Sequence, residues 1–179
     1  MYFFWVDCEM TGLDTKKDVI LELAYIITDK NMNEIARGEY IFHQTPTKLS
    51  QMNSWCTEQH TKSGLYEKTL KSKLSLKTAE KEILKTLKKH TKEKETYFAG
   101  NSVYIDAFFI KKQLPHIHAW MHYRLFDITT FKLEQITCDD PGDFLEVTVD
   151  GNVVFTTDGS SPLCGVLGYS TQNVDLLAY

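Results

Sequence analysis

The feature that most constrains this chain is an apolar segment near its N-terminus that ends in two acidic side chains. The segment reads FFWVDCEMTGL over residues 3–13. Side chains on a β-strand alternate between its two faces, so Asp7 and Glu9 point the same way. Two like charges held side by side repel each other unless a cation lies between them. Carboxylate oxygens suit Mg²⁺ or Mn²⁺, so the pair predicts a metal-dependent enzyme.

The composition narrows the class of protein. A chain of 179 residues, 42% hydrophobic and 25% charged, fits one globular domain with its own core. The net charge of −4 argues against a long basic track for nucleic acid, although a short fragment held by a metal site and one or two basic residues still fits. The four cysteines are scattered and form no CxxC pair, which favours reduced thiols over a zinc site or a disulfide framework.

The sequence also predicts where the protein works. No apolar run approaches the roughly 20 residues that span a bilayer. The N-terminus begins with strand-like sequence and lacks the basic region and cleavage site of a secretory signal. We therefore expect an intracellular protein with no membrane partner.

The periodicity of apolar residues predicts an α/β domain, in which helices pack on a mixed sheet. After the N-terminal strand, the predicted strands cover residues 18–28, 34–43, 97–102 and 123–129, and residues 144–157 form a hairpin. The predicted helices cover residues 78–90 and 103–113, and residues 49–64 are helical or irregular. Asn101 or Ser102 is expected to cap the helix that begins at residue 103.

Asp106 is the third acidic residue of interest. It falls in the first turn of a predicted helix that follows a strand. From that position its carboxyl group can point back over the sheet edge that carries Asp7 and Glu9. An acid near a helix N-terminus is also stabilised by the helix dipole alone, so both interpretations of Asp106 stand on the residues themselves.

Four motifs in order then give a specific resemblance. They read WVDCEMTGLD at residues 5–14, MNSWCTEQHTKSGL at 52–65, AGNSVYID at 99–106 and HYRLFD at 122–127. Together they resemble the oligoribonuclease family of DEDD-type 3′→5′ exonucleases, in register from about residue 4 to about residue 132. The pair Trp55-Cys56 is most similar to the eukaryotic members, which are found in mitochondria and cytosol.

The resemblance implies a fold and a reaction. The fold would be the ribonuclease H-like exonuclease fold, with a central mixed five-stranded sheet flanked by helices. The reaction would be hydrolysis of very short RNA, dinucleotides above all, from the 3′ end. Two divalent ions, Mg²⁺ or Mn²⁺, would be held by Asp7, Glu9 and Asp106, with Asp7 bridging both.

The resemblance also implies substrate and partner contacts. Leu13 would wedge between the two bases, and Trp55 and His60 would line the pocket of the 3′ nucleotide. Ser102, Arg124 and Thr129 would cap the 5′ phosphate. Tyr123 and Arg124 would be contributed across a homodimer interface. Taken singly, these residues have ordinary alternatives. Leu13 would be a core residue, Trp55 a core or helix-packing residue, His60 a hydrogen-bonded histidine and Arg124 an exposed charge.

The C-terminal quarter does not follow the family. We divide the chain into an exonuclease domain at residues 1–132 and a divergent tail at residues 133–179, predicted as a hairpin and loop. The family has helices there, with a His followed five residues later by an Asp, but the last histidine of this chain is His122. Ser170 and Asp175 keep that spacing, which we interpret as coincidence. We interpret Asp139 and Asp140, beside Pro-Gly, as turn residues.

The missing motif leaves two interpretations of function open. The family's third motif supplies the general base and a fourth metal ligand, and losing a general base typically removes about 10²–10⁴ in rate. The chain is then an exoribonuclease with impaired turnover, or a catalytically inactive homologue that binds dinucleotides or only dimerises.

Overall fold

The computed structural model describes residues 1–129 and the backbone of two further strands, and its centre is one five-stranded sheet. The strands are β1 (Tyr2–Met10), β2 (Ile20–Asp29), β3 (Glu34–Ile41), β4 (Thr96–Gly100) and β5 (Leu125–Asp127). Their spatial order is β3-β2-β1-β4-β5. The first three strands are antiparallel neighbours, whereas β4 pairs parallel with both β1 and β5. The predicted mixed five-stranded sheet is confirmed.

Six helices join these strands in the described part of the chain. They are α1 (Pro46–Leu49), α2 (Ser54–Lys62), α3 (Leu65–Lys71), α4 (Leu76–His90), α5 (Val103–Gln113) and α6 (Pro115–Trp120). The amphipathic helix predicted at residues 78–90 is α4, and it begins where the Ser75 side chain accepts a hydrogen bond from the Thr78 N–H. Three short helices, α1, α3 and α6, were not expected from the sequence.

The start of α6 depends on a contact that no local sequence pattern predicts. Pro115 ends α5 in the sequence-based prediction, but a proline is also well tolerated as the first residue of a new helix. The Glu80 side chain, from α4, accepts the His116 N–H at 2.8 Å and contacts the His116 ring Nδ1 at 3.0 Å. Because Glu80 is far from His116 in sequence, the residues around Pro115 do not predict this cap.

The two faces of the sheet are built differently. One face, here called the helix-covered face, carries Phe4, Val6 and Cys8 of β1, and buried residues of α4, α5 and α6 pack on it. The other face, here called the acidic face, begins with Phe3 and Trp5, which pack in a smaller cluster. It continues along β1 with Asp7 and Glu9, because alternate residues of a strand share a face.

The two further strands, β6 (Val147–Val149) and β7 (Asn152–Phe155), pair with each other antiparallel in the segment where the sequence predicts a hairpin. The expected loop, and with it Asp139, Asp140, Ser170 and Asp175, lies outside the described residues. Among the residues described, no helix has the length and apolar character needed to cross a membrane.

Candidate active site

The predicted acid pair lies at the C-terminal end of β1. Asp7 and Glu9 are both exposed, whereas Cys8 between them is buried. In the antiparallel pairing with β2, Asp7 lies opposite Ala24 and Glu9 lies opposite Glu22. The register shifts just after Glu9, where the strand ends. The two carboxyl groups therefore share the acidic face, as strand alternation predicts.

Asp106 is tied directly to the same strand. The β1–β4 ladder ends at the Trp5–Ala99 pair, and beyond it the Cys8 N–H donates to Asp106 Oδ1 at 2.9 Å. The side chain of Asp106 is only 6% exposed. Its carboxyl group thus lies beside the backbone that separates Asp7 from Glu9, although the residues are far apart in sequence.

A tight turn between β4 and α5 makes this approach possible. Gly100 has φ +157°, and a Cβ there would lie 2.9 Å from the carbonyl oxygen of Val6. Only glycine combines that backbone conformation with so close an approach to β1. Ser102 follows with φ 50° and takes the N-cap position, but its side chain makes no capping bond. The turn brings the first turn of α5 against β1.

The pKa values of the three carboxyl groups are all raised. Burial and then the charge of Asp7 raise the pKa of Asp106 to about 7, although hydrogen bonds from Cys8 oppose the shift. Asp7 is open to solvent on one side, but the surrounding protein desolvates it enough to raise its pKa. Burial also raises the pKa of Glu9; His60 opposes this shift and Asp7 adds to it.

Burial is the largest cause of all three raised pKa values, so the site without a cation stabilises these carboxyl groups poorly in their charged form. Asp7, Glu9 and Asp106 therefore fit a hard divalent cation in donor type and in charge. Across residues 1–129, however, no group of three or more His, Cys, Asp and Glu side chains is already arranged to hold a metal ion. The carboxyl groups are neighbours electrostatically rather than a preformed ligand set.

His60 comes from α2 and is buried against the end of β1. Its Nε2 lies 2.8 Å from the Met10 carbonyl oxygen, and because a carbonyl can only accept, Nε2 carries the hydrogen and donates. Its Nδ1 faces Glu9 Oε2 at 3.8 Å. His60 is thus a hydrogen-bonded histidine, as its ordinary alternative predicts, and also a direct neighbour of a site carboxylate.

Two of the predicted base contacts are large apolar side chains on the surface. Leu13, in the loop after β1, is 71% exposed, and Trp55, on α2, is 45% exposed. Neither side chain is buried, so the interpretation as a core residue is wrong for both Leu13 and Trp55. Their apolar and aromatic surfaces are accessible to a ligand.

Ser102 and Thr129, predicted at the phosphate cap, contact each other. The Ser102 N–H donates to Thr129 Oγ1 at 2.6 Å and to Asp127 Oδ1 at 3.0 Å, and the two hydroxyl oxygens are 3.1 Å apart. The Thr129 hydroxyl also donates to Asn101 Oδ1 at 3.1 Å. Asp127, to which no sequence motif gives a role, joins β5 to the start of α5 by accepting the Ser102 N–H.

Tyr123 and Arg124 form a stack on the surface. Tyr123 is 79% exposed, and its ring centroid lies 4.5 Å from that of His122. The Arg124 guanidinium also contacts the Tyr123 ring. It lies 5.5 Å from the ring centroid, in a cation–π arrangement. Both side chains are therefore accessible for contact with another molecule.

Two further acids, which were not predicted from the sequence, extend the acidic face. Glu22 lies opposite Glu9, and its pKa is raised to about 7 by burial, then by a hydrogen bond with Glu39 and the charges of Glu39 and Glu9. Glu39, on β3, is two residues from Ile41, which lies opposite Glu22. Strand alternation predicts which face each acid takes, but their contact depends on strand register.

Comparison with known proteins places the chain in a family. Residues 4–140 match the family described as "Exonuclease". The chain is 46% identical over 129 residues to a Dictyostelium discoideum protein named "Probable oligoribonuclease", covering 72% of this chain and 68% of that protein. It is 42% identical over 130 residues to an oligoribonuclease of Francisella tularensis subsp. tularensis, covering 72% of this chain and 73% of that protein.

The fold is also found in solved structures. An exonuclease I from Methylocaldum szegediense matches 84% of this chain with a TM-score of 0.53 and 17% sequence identity. This chain spans only 32% of that protein, and at such low identity the likeness is one of fold alone. The solved structure supports the ribonuclease H-like exonuclease architecture that the motifs imply.

Proposed function

The chain belongs to the oligoribonuclease family of exonucleases, and on this premise we propose that it is a 3′→5′ exoribonuclease acting on very short RNA. Dinucleotides would be its main substrates and mononucleotides its products. The observation that carries the proposal is the bond from the Cys8 N–H to Asp106, because it brings a third carboxyl group to the strand that carries Asp7 and Glu9.

We assign Asp7, Glu9 and Asp106 as the ligands of two divalent ions, Mg²⁺ or Mn²⁺. Their oxygen donors and raised pKa values support the assignment. When bound, the ions would activate the attacking water and stabilise the leaving oxygen. In the protein itself, the Cys8 N–H orients Asp106, and His60 Nδ1 faces Glu9 and limits the directions in which that carboxylate can turn.

The substrate contacts follow from exposure and chemistry. Leu13 and Trp55 offer apolar and aromatic surface on which bases can stack. Arg124 offers a bidentate donor to a 5′-phosphate, and the Ser102 and Thr129 hydroxyl groups would complete the cap. Because Asp127 already accepts the Ser102 N–H, the phosphate would rely on the hydroxyl groups and the guanidinium. A capped 5′ end leaves no room for a longer chain, which explains the preference for dinucleotides.

We further propose that the protein acts as a homodimer in the cytosol or in mitochondria. The exposure of Tyr123 and its stacking with Arg124 support a contact with a second copy. The compartment rests on the likeness of Trp55-Cys56 to the eukaryotic members. Size-exclusion chromatography with light scattering tests the dimer, and the Tyr123→Ala variant should shift it toward monomer.

A second candidate function is a catalytically inactive homologue that binds dinucleotides or dimerises. It is favoured by one observation: residues 123–179 contain no histidine, so this stretch offers no counterpart to the general base of the family's third motif. The carboxyl groups that bind metal and the exposed base contacts do not depend on that general base. Binding without turnover is therefore the outcome this candidate predicts.

An assay with a 5′-phosphorylated diribonucleotide and Mg²⁺ separates the two candidates. Release of mononucleotide by the wild type, reduced by about 10³-fold or more in Asp7→Asn, supports the exoribonuclease. Asp29→Asn is the matched control, since Asp29 lies opposite Tyr2 at the other end of the same strand pair. Calorimetric binding without product supports the inactive homologue. Absence of both binding and product rejects the exoribonuclease and the dinucleotide-binding homologue, and leaves the homologue that only dimerises, which light scattering tests.

A thermal shift provides a test that does not need activity. If Asp7, Glu9 and Asp106 bind Mg²⁺, free Mg²⁺ at about 100 times its Kd should stabilise the folded protein by about 2.7 kcal/mol. The rise in Tm should be absent in Asp7→Asn and retained in Asp29→Asn. An equal rise in all three proteins would show that Mg²⁺ acts elsewhere.

A further inference from the structure

We propose that Asp18 is a positioning residue that holds the loop at residues 11–19 in the shape that presents Leu13. The inference deepens the proposed function, because it rests on Leu13 as a contact of the substrate bases. Leu13 is 71% exposed, so burial contributes little to holding its side chain in place. Its position must instead come from the backbone on either side of it.

Asp18 binds the loop on both sides of Leu13. Its side chain is only 9% exposed; Oδ1 accepts the Thr11 hydroxyl at 3.0 Å, and Oδ2 accepts the Asp14 N–H at 2.9 Å. The Thr11 hydroxyl oxygen accepts the Val19 N–H at 3.1 Å, and the Thr11 N–H donates to the Val19 carbonyl at 3.0 Å. One carboxyl group thus closes the loop across its base and fixes the residues that flank Leu13.

Gly12 shows how closely the loop fits this carboxyl group. A Cβ at Gly12 would lie 2.5 Å from Asp18 Oδ2 and 2.9 Å from its carboxyl carbon. Any side chain at residue 12 would therefore push the Asp18 carboxyl group away from its partners. The glycine is required here by the space that Asp18 occupies.

The loop is also fastened to the helix that carries Asp106. Gln113, the last residue of α5, donates through Nε2 to the Asp18 carbonyl at 3.1 Å, and its Oε1 accepts the Ile20 N–H at 3.2 Å. The Lys112 ammonium group donates to the Thr15 carbonyl. Because α5 also holds Asp106 against β1, these bonds place Leu13 and the carboxyl groups in one rigid frame.

A fixed Leu13 matters because binding otherwise has to order it. A mobile loop loses conformational freedom when its side chain meets a ligand, and that loss weakens the affinity. The bonds of Asp18 remove this freedom before the substrate arrives. The chain offers a matched control at the far end of the sheet, where Asp29 accepts the N–H groups of Asn31 and Asn33 at 2.8 and 2.9 Å and shapes the β2–β3 turn.

The first experiment measures the loop itself, by hydrogen exchange of residues 11–19 and by limited trypsin cleavage after Lys16 and Lys17. Asp18→Ala should lose exchange protection in this loop and be cut there at least about tenfold faster, since the bonds that close it are gone. Asp18→Asn should retain most protection, because its oxygen can accept the Asp14 N–H while its amide donates to the Thr11 hydroxyl oxygen. Asp29→Ala should leave this loop unchanged.

The second experiment measures binding of a 5′-phosphorylated diribonucleotide with Mg²⁺ by calorimetry, which does not depend on turnover. Leu13→Ala should weaken binding by about tenfold, since a leucine contact is lost. Asp18→Ala should weaken dinucleotide binding by a similar factor or less. Because Asp18 acts through Leu13, the same substitution should weaken binding by under about twofold when Leu13→Ala is already present. Asp29→Ala should bind as the wild type does.

The outcomes separate this inference from the proposed function. A wild type that does not bind the dinucleotide rejects the proposed function, and the exchange and cleavage results then decide the loop inference alone. If Asp18→Ala leaves the loop protected, or weakens binding equally with and without Leu13, the inference is overturned. If Asp18→Ala does not fold, Gly12→Ala and Gln113→Leu disturb the same loop and carry the same expectations.

Discussion

The two faces of the central sheet share the strand β1 but are put to opposite uses. On the helix-covered face, β1 contributes Phe4, Val6 and Cys8, all buried under α4, α5 and α6. On the acidic face, the same strand contributes two aromatic residues and then two acids. Along β1 the helix-covered face carries only Phe4, Val6 and Cys8, whereas the acidic face changes from aromatic to acidic between Trp5 and Asp7.

The change falls between two neighbouring positions of one face. Trp5 packs edge-on against Phe126 with ring centroids 5.8 Å apart, and its indole N–H donates to Thr28 Oγ1 at 3.0 Å. Asp7, the next residue on that face, has its pKa raised by burial. The indole N–H of Trp5 thus has a hydrogen-bond partner, whereas burial, and after it the charge of Asp7, raises the pKa of both Glu9 and Asp106.

The difference indicates that the helix-covered face stabilises the fold, whereas the acidic face carries the candidate active site. Burial of apolar surface on the helix-covered face favours folding. Clustered carboxyl groups at the end of the acidic face oppose folding until a cation neutralises them. A site that weakens the fold persists only when other parts of the fold compensate, and here the compensation lies on the opposite side of the same strand.

The largest change in the free energy of unfolding is expected from a substitution on the helix-covered face, and it tests whether that face stabilises the fold. Phe98 is 1% exposed and packs edge-on against Phe4 with centroids 6.0 Å apart. Phe98→Ala should lower the free energy of unfolding by about 3–5 kcal/mol, because it removes buried contacts and leaves a cavity. Urea unfolding measures it, with Tyr104→Ala as the control, since Tyr104 is an aromatic residue that is 49% exposed. Equal losses in both variants would contradict the assignment of stability to this face.

The next effect should have the opposite sign. Burial first, and then the charge of Asp7, raise the pKa of Asp106 to about 7 in the folded protein, above its ordinary value of 3.8. Ionisation therefore costs more in the folded than in the unfolded chain. The free energy of unfolding of metal-free protein should fall as the pH rises from about 4 to about 7 and then level off. Asp106→Asn should flatten this fall and stabilise the metal-free protein at pH 8 by on the order of 3 kcal/mol.

The measurement is urea unfolding in a chelator at several pH values. Asp29→Asn is the control with the reverse dependence: despite some burial, hydrogen bonds from Asn33 and Asn31 lower the pKa of Asp29. Asp29 stabilises the fold at neutral pH, and this contribution is lost as the pH falls through its lowered pKa. A steep loss of stability above pH 4 that persists in Asp106→Asn would place the repulsion elsewhere.

The sequence predicted those features that depend on local periodicity. Alternation along β1 indicated that Asp7 and Glu9 share a face, and the 3.6-residue period indicated α4. The expected strand and helix around Gly100 put Asp106 in the first turn of α5, where it lies. These features follow from neighbours in the chain, and a single sequence contains them directly.

The remaining features depend on contacts between distant residues. The Glu22–Glu39 hydrogen bond requires the register of β2 against β3, which the sequence does not specify. The start of α6 depends on Glu80. The sequence predicts a strand from Asp18 onward, but Asp18 lies before β2 and its side chain binds Thr11 and Asp14, which only the folded loop brings together. Roles that rest on the family's motifs, such as Leu13 as a base contact, remain predictions.

The smallest effect sharpens where the acidic face ends. Burial first, and then the hydrogen bond and charge of Glu39, raise the pKa of Glu22 to about 7. In Glu39→Gln the amide can donate to the Glu22 carboxylate, so the pKa of Glu22 should fall toward its ordinary value. The raised pKa costs stability as the pH rises, so the variant should be more stable than the wild type at pH 8 and nearly equal at pH 4. Because both side chains are partly exposed, solvent screening should keep the gain under about 1 kcal/mol.

An NMR titration of the Glu22 carboxyl carbon measures this directly, and urea unfolding at pH 8 and pH 4 measures the linked stability. Glu67→Gln is the control, because Glu67 is an exposed acid whose partner is Lys71, at 3.6 Å, so its loss should stabilise nothing. If the pKa of Glu22 stays near 7 in Glu39→Gln, the charge of Glu9 and burial maintain it. The acidic face would then end at Glu22, and Glu39 would belong to the ordinary surface of β3.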